Sequence, residues 1–330
     1  MSPLEQRYRR LLTWLPEPAR SRWADDMTGT WLEATTTDDP EYAEFGSPSL
    51  ADRLDVARLA LRLRLGAPGA SVRAVATGRT VRLVAVAGTL ALASMALVGL
   101  VSRAWLHGLL PLVDAPELGP VGWGPWDAVA TLVSGLTVTL GVCALRGLAA
   151  TRPLALVVLA TLVVEAVTTV GGPGALLTLL TQLTVAVPVV AAALAPTGPP
   201  VHRRWWPVWL GLLLVAPWVV GATLVTLLPA GPADGLLALG DQFVQLGIAL
   251  VATAVVLLAR RRPERGAAEL ATAVLAVALL PALASRLPYD TPAGYAPTVL
   301  AVTVGVLLAA AATGAVGTRA LRALPADVPA

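Results

Sequence analysis

Two carboxylates lie within long apolar stretches of the sequence, Glu165 and Asp241. An ionised side chain inside a bilayer costs several kcal/mol unless it is paired, so intramembrane acids often belong to substrate or proton pathways. Each acid lies about five residues from the end of its stretch, which is ~8 Å deep at the rise of a helix. Three glutamines lie at a similar or slightly greater depth: Gln182, Gln242 and Gln245.

Two interpretations of these five residues are open. The first is a polar pocket in the outer half of a helix bundle, which would recognise a small ligand or carry a proton. Asp241 and Gln245 support it, because residues four apart share a helix face. The second is snorkelling and interhelical hydrogen bonding near the lipid boundary. The second is the simpler interpretation and is favoured.

The elements that would position these residues are membrane-spanning helices. Residues 83–102 carry no charge between Arg82 and Arg103. Twenty helical residues cross the ~30 Å hydrocarbon core of a bilayer. Only 14% of the chain is charged, against about 25% in soluble domains, so most of the surface must face lipid. Seven further runs are long enough to cross: residues 127–145, 153–170, 175–194, 206–228, 236–258, 268–284 and 296–316.

The placement of arginine predicts which loops face the cytoplasm. Loops rich in arginine stay inside, and eight spans bring both termini to that side. The predicted outer loops hold few arginines and several acids: Arg103, Arg286, Asp114, Glu117, Asp234 and Asp290. The predicted inner loops and tail hold the others: Arg146, Arg152, Arg203, Arg204, Arg260, Arg261, Arg262, Arg265, Arg319 and Arg322. We therefore expect an all-α, multi-pass protein of the cell membrane with about eight spans.

Residues 1–70 show three helical patterns. The first has apolar residues at helical spacing and ends before Pro16, and the second carries Trp23 and Trp31 on one stripe. The third begins at Ser49, with Asp52 as a capping-box partner, and Gly66 suits its end. Its apolar stripe contains Leu50, Leu54, Ala57 and Leu61. We expect three short helices packed into a small cytoplasmic head, with the aromatic residues, Tyr8 included, in its core.

A basic stretch joins this head to the first span. Residues 71–82 are predicted to be a juxtamembrane linker, because the sequence before Thr80 contains glycine and proline. Arg73, Arg79 and Arg82 are candidates for contact with anionic lipid, each worth ~1 kcal/mol at such a surface. Fixing the orientation of the chain is an equally good explanation of these arginines. The expected domains are the head at 1–70, this linker, the spans at 83–318 and a cytoplasmic tail at 319–330.

The head resembles a known family. The segments YRRLLTWLP from Tyr8, WADDMTGTWLEA from Trp23 and SLADRLDVARLALRLRLG from Ser49 are similar to the HAAS-type helical domain. That domain heads many actinobacterial membrane proteins and is related to a prefix domain of some permeases. The family usually has Glu where this chain has an aspartate in the box Ala24-Asp25-Asp26-Met27. The resemblance implies a head that signals or binds partners, often beside PadR-type transcription regulators.

The sequence lacks the motifs of common enzymes and nucleotide-binding proteins. There is no phosphate-binding Gly-Lys-Ser/Thr loop, nucleophile elbow or HExxH motif, so we expect no enzyme and no cofactor. Cys143 is the one cysteine, and His107 and His202 are expected on opposite sides of the membrane, which argues against a metal site. The scattered arginines form no groove for nucleic acid.

Two functions follow from these observations. The favoured one is a regulatory or scaffold protein whose head binds a soluble partner. The alternative is a transporter or permease subunit whose path passes Glu165 and Asp241, and an intramembrane enzyme is third. The sequence leaves the ligand, the partner and the oligomeric state open.

Overall fold

A computed structural model describes residues 2–35, 45–109, 124–169, 175–195, 238, 241–260, 266–287 and 295–325. The described part is all-helical and contains no strands. Its helices are α1 (Pro3–Leu12), α2 (Glu17–Thr35), α3 (Leu50–Arg64), α4 (Val72–Leu106), α5 (Pro125–Arg146), α6 (Thr151–Thr169), α7 (Ala175–Leu194), α8 (Gln242–Ala259), α9 (Gly266–Ala284) and α10 (Tyr295–Arg322).

Seven of these helices, α4 to α10, are long and apolar enough to cross a membrane. They match seven of the eight predicted spans, and the remaining one, residues 206–228, lies outside the described residues. Many of their large apolar side chains are exposed, among them Leu156, Val164 and Leu308. An apolar surface of this extent is covered by lipid or by another protein in the working molecule. Together with the hydropathy of the helices, it identifies an integral membrane protein.

The chain divides into two compact units. The N-terminal unit contains the residues up to Thr80 and those from Thr318 onward, and the membrane unit is Val81–Gly317. In the N-terminal unit, α1 packs against α2 and α3. Leu4, Leu12 and Trp31 belong to its buried cluster. The Tyr8 and Trp31 rings stack at 4.3 Å between centroids and 4° between planes, and Trp23 packs partly buried against the same cluster.

Both ends of α3 follow local rules that the sequence predicts. Ser49 and Asp52 form the capping box, with each side chain hydrogen-bonded to the backbone amide of the other. At the other end, Gly66 adopts a φ of 83°, and the amide of Ala67 donates to the carbonyl of Arg62. This Schellman motif satisfies the last carbonyls of the helix.

The predicted linker at residues 71–82 differs from the structure, because α4 is helical from Val72 onward. The turn lies earlier, at Gly66 and Gly69, which both have a positive φ. Gly78 lies inside α4 and does not interrupt it. The backbone of Leu65 packs against this glycine. A Cβ atom at position 78 would be 2.0 Å from the Leu65 carbonyl oxygen. The glycine therefore allows the end of α3 to pack on the backbone of α4.

The described part of the membrane unit contains two apolar clusters. One includes Val84, Leu140 and Val189, and the other includes Val244, Leu283 and Val306. Neighbouring pairs of helices are α5 with α6, α6 with α7, α7 with α9 and α8 with α9. α6 and α7 follow one another in the chain, and the glycine-rich segment 171–174 between them lies outside the described residues. Pro188 lies inside α7 and Pro281 lies inside α9.

Candidate functional site

The structure distributes the five predicted intramembrane polar residues over three helices. Glu165 has an exposed side chain on α6. Gln182 is buried on α7, and its amide atoms have no hydrogen-bond partner in the described part of the chain. Gln242 is the half-buried first residue of α8, and Gln245 is buried one turn later. The five are therefore divided between an exposed position on α6 and positions on α7 and at the start of α8, and their common pocket stays a prediction.

Asp241 is the N-cap residue of α8, so it comes directly before the first residue of that helix, and its depth in a membrane stays a prediction. Its carboxylate accepts hydrogen bonds from the amides of Phe243 and Val244. Capping residues favour helix starts because they satisfy amides that have no partner within the helix. The same carboxylate forms an ion pair with Arg286 at 3.0 Å and accepts a hydrogen bond from the Tyr295 hydroxyl at 3.3 Å.

These contacts make Asp241 the centre of a polar cluster that joins three helix ends. Arg286 follows α9, and its guanidinium carbon lies 5.1 Å from the centroid of the Phe243 ring. Tyr295 begins α10. The pair is well shielded, since the Asp241 side chain is 13% exposed and the Arg286 side chain 33%. The sequence places Arg286 in an outer loop but does not pair it with Asp241, because 45 residues separate them in the chain.

A cavity in the described part of the membrane unit lies elsewhere and is apolar. It has a volume of about 330 Å³ and lies between α4, α7, α8 and α9. Its polar lining consists of Thr184, Thr253 and Thr272, whose hydroxyls each donate to a carbonyl of their own helix. None of the five predicted polar residues lines it. A polar path near Glu165 and Asp241 therefore does not coincide with this cavity.

The three predicted lipid-contact arginines have different environments. Arg73 donates from one guanidinium nitrogen to the carbonyls of Arg322 and Leu324, so it holds the end of α10 within the N-terminal unit. Arg79 is exposed, and Arg82 is half-buried at the end of the membrane unit. Arg73 therefore has a structural role that the sequence did not suggest.

An exposed apolar stripe of the N-terminal unit lies on α3. The stripe of Leu50, Leu54, Ala57 and Leu61 has the helical spacing predicted from the sequence, and its leucines are 73%, 60% and 41% exposed. A second stripe on α3 is buried instead, and it consists of Val56, Ala60 and Leu63. Both stripes have helical spacing, so α3 has two apolar faces and only one can pack on α1. We call the exposed stripe the leucine ridge.

Arginines flank the leucine ridge on both sides. At 100° per residue, Arg53 and Arg64 lie on one side of it, and Arg58 and Arg62 lie on the other. Arg64 donates to the Trp14 carbonyl at 2.8 Å. The other three are exposed and form no ion pair with a described residue. The ridge is thus an apolar strip with a positive border.

The electrostatics at the start of α3 favour a charged Asp52. Burial alone would raise the pKa of this carboxyl, but hydrogen bonds from the Ser49 hydroxyl and amide hold the pKa below its ordinary value. The pKa of Tyr8 is raised, first by burial and then by the nearby negative charge of Asp52. The cap therefore remains ionised at neutral pH and fixes the first turn of the helix that carries the ridge.

Comparison with known proteins returns no match: no protein-family model, curated protein or solved structure is similar to this chain.

Proposed function

We propose that this chain is a regulatory or scaffold protein of the cell membrane, with both termini in the cytoplasm. In this proposal, α1–α3 form a three-helix cytoplasmic head that recruits a soluble protein to the membrane. The observation that carries the proposal is the exposed leucine ridge with its arginine border. The resemblance to HAAS-type heads supports the same role and makes a PadR-type regulator a candidate partner.

The geometry of the ridge favours a helix as the occupant. Its four residues follow one another at spacings of four, three and four, which is the a/d pattern of a coiled-coil seam. In that register Arg53 takes a g position and Arg58 an e position, where charges select the partner. The matching helix therefore has apolar residues along its own seam and Asp or Glu at the flanking positions.

A bilayer surface fits the ridge less well. Helices that lie in the membrane interface have a broad apolar face with Trp, Phe or Leu, opposite a strongly charged face. On α3 the exposed apolar strip is one or two side chains wide, and the opposite face already packs in the core. A narrow seam between charged borders complements another helix more completely than it complements a layer of acyl chains.

The transport alternative has less support. Asp241 is engaged by Arg286 and Tyr295, Glu165 is exposed on a different helix, and neither residue lines the apolar cavity. We propose no enzymatic activity and no cofactor, in keeping with the absence of catalytic motifs in the sequence.

Photocrosslinking in cells tests the proposal. A photoreactive amino acid replaces Leu54 in the full-length protein, and mass spectrometry identifies the attached molecule. We expect one soluble protein, attached through a helix with acidic flanks. Binding of that purified protein to the full chain in nanodiscs should fall at least about tenfold on L54E, since a buried charge at a seam position costs more than 1.4 kcal/mol.

The matched control is Thr30→Glu, which adds the same charge at an exposed position of α2. It should leave the affinity unchanged. Attachment to phospholipid would assign the ridge to the bilayer, and attachment to a second copy of this chain would make it a dimer contact. Either result, or equal losses for L54E and T30E, would refute recruitment of a soluble partner by the ridge.

A further inference from the structure

The membrane unit holds an arginine side chain between two of its helices. Arg103 lies in the last turn of α4, and its half-buried guanidinium reaches α5. One terminal nitrogen, Nη2, donates to the Ala130 carbonyl at 3.1 Å and to the Ser134 hydroxyl. These two acceptors are five and nine residues after the first residue of α5, which places them ~8 Å and ~13 Å along that helix. The charge therefore lies beside the body of α5 rather than beyond its end.

Open space lies next to this guanidinium on the bundle side of α4. Met95, Gly99 and Arg103 recur every four residues and so share a side of the helix. Met95 packs against both apolar clusters of the membrane unit, so this side faces the bundle. A Cβ atom at Gly99 would lie 3.6 Å from Nη2 of Arg103 and would meet no further atom of the described residues within 4 Å. The glycine thus leaves room beside the charge.

The charge of Arg103 has no counter-charge in the described part of the chain. Arg103 forms no ion pair there, and Asp127 on α5 lies 3.6 Å from His107 instead. A guanidinium group has five N–H donors, and the Nη2 atom uses two of them. The Nε atom is buried without a partner, and the Nη1 atom donates to no described residue. A charge that faces a bundle interior without compensation is costly and marks a ligand or ion site.

Two hydroxyls of α5 add neutral donors on the same side of that helix. Ser134 accepts a hydrogen bond from Arg103, so its own hydroxyl hydrogen is left to donate. Thr131 is three residues earlier, and its buried Oγ1 atom has no hydrogen-bond partner in the described part of the chain. A guanidinium with adjoining hydroxyls repels cations and suits an oxyanion, whose oxygens accept from every one of these groups.

We propose that the bundle side of α4 at Gly99 and Arg103 binds an oxyanion, a phosphate or a carboxylate. The Nη1 atom of Arg103 donates to the anion while Nη2 stays on Ala130 and Ser134, and the hydroxyls of Ser134 and Thr131 are further donors. The anion supplies the counter-charge that the described residues lack. A free anion and a lipid headgroup both carry this chemistry. The site is independent of the leucine ridge and of any soluble partner.

Thermal unfolding of the full-length, lipid-depleted protein in detergent tests the proposal. Sodium phosphate is titrated at constant ionic strength, with sodium chloride as the reference. We expect phosphate to raise the unfolding temperature of wild type above its value in chloride, and the dependence on concentration gives an apparent Kd. R103Q should raise this Kd at least about tenfold, because a hydrogen bond to a charged group is lost. T131V is the second variant if R103Q does not fold, and it should raise the Kd about threefold.

The matched control is Arg146→Gln, which removes an exposed arginine from the other end of α5. Its apparent Kd should stay within about twofold of wild type, since the lost charge is distant and exposed. The proposal would be overturned by a phosphate effect no larger than that of chloride. An unchanged Kd in both R103Q and T131V, or equal increases for R146Q and R103Q, would also overturn it.

A second measurement distinguishes the two sources of the oxyanion. The protein is released from nanodiscs of phosphatidylcholine with a minor fraction of phosphatidylglycerol, and native mass spectrometry counts the retained lipid. Retention that falls in R103Q and competes with added phosphate would assign the site to a lipid headgroup. Equal retention by wild type and R103Q, with the phosphate effect on unfolding intact, would assign it to a free anion.

Discussion

Asp52 shows how one side chain fixes the helix that carries the proposed docking surface. Its carboxylate receives hydrogen bonds from Ser49, which hold its pKa below the ordinary value. A carboxyl with a lowered pKa in the folded state stabilises the fold above its unfolded pKa, and this contribution is lost as pH falls through the folded pKa. The cap of α3 therefore weakens only in acid.

We predict that Asp52→Ala raises amide exchange in the first turn of α3 about fivefold at pH 7, since a helix cap contributes ~1 kcal/mol. Hydrogen–deuterium exchange of the full-length protein in nanodiscs measures this change. As pH falls below about 4, near the unfolded-state pKa of Asp of about 3.9, the wild type and the variant should begin to converge, and they should coincide once the pH is below the lowered folded-state pKa. The control is Asp55→Ala, an exposed residue of the same helix outside the capping box. A similar increase with D55A would contradict the capping role.

Asp241 and Arg286 join α8 to the end of α9, and their coupling can be measured. A double-mutant cycle of D241N and R286Q in detergent should give a coupling energy of about 1 kcal/mol or more, because the two groups are in contact and well shielded. Asparagine keeps the N-cap, so the cycle isolates the ion pair. The exposed pair of Glu17 and Arg20 on α2 is the comparison and should couple more weakly. Additive effects of D241N and R286Q would show that the pair contributes nothing.

At the scale of elements, glycine decides where membrane helices approach closely. A Cβ atom at Gly88 on α4 would lie 2.3 Å from Cβ of Pro188 on α7, whereas one at Gly135 on α5 would meet no atom within 4 Å. The proline ring is fixed to its backbone and cannot rotate away. The contact between α4 and α7 therefore depends on the missing side chain at position 88.

We predict that Gly88→Ala destabilises the membrane unit by about 1–3 kcal/mol, the usual cost of overpacking. Gly135→Ala should be neutral or slightly stabilising, because alanine favours helix over glycine and the site is open. Thermal unfolding of both variants in the same detergent measures the difference. The close approach of α4 and α7 would be contradicted if both alanine variants unfolded at the wild-type temperature.

The arginine distribution makes a prediction about the whole molecule. Translocated loops exclude arginine, so residues after Arg260 should be cytoplasmic and residues after Arg286 should be outside. An alkaline phosphatase fusion after Arg260 should be inactive in cells, and one after Arg286 should be active. A reversed pair of activities would overturn the topology and with it the cytoplasmic site proposed for the leucine ridge.

Much of the fold was predictable because its causes are local. Seven membrane-capable helices coincide with predicted runs, since about twenty apolar residues suffice to define each. The capping box at Ser49 and the glycine turn after α3 depend on residues within a few positions of each other. Hydropathy, capping and the positive charge of loops all act over such short distances.

Interactions between distant segments decided the rest. α3 has two apolar stripes of the same period, and only packing against α1 determined that Val56 and Leu63 are buried while Leu50 and Leu54 remain exposed. Asp241 forms an ion pair with Arg286, which is 45 residues away in the chain, and Arg82 and Arg152, which are 70 residues apart, line one cleft. Periodicity predicts which residues share a face of a helix. Which other surface packs against that face depends on all the elements of the chain. The sequence alone therefore determined where the described membrane helices lie, and the tertiary structure determined several of their ends and the surfaces on which the proposals rest.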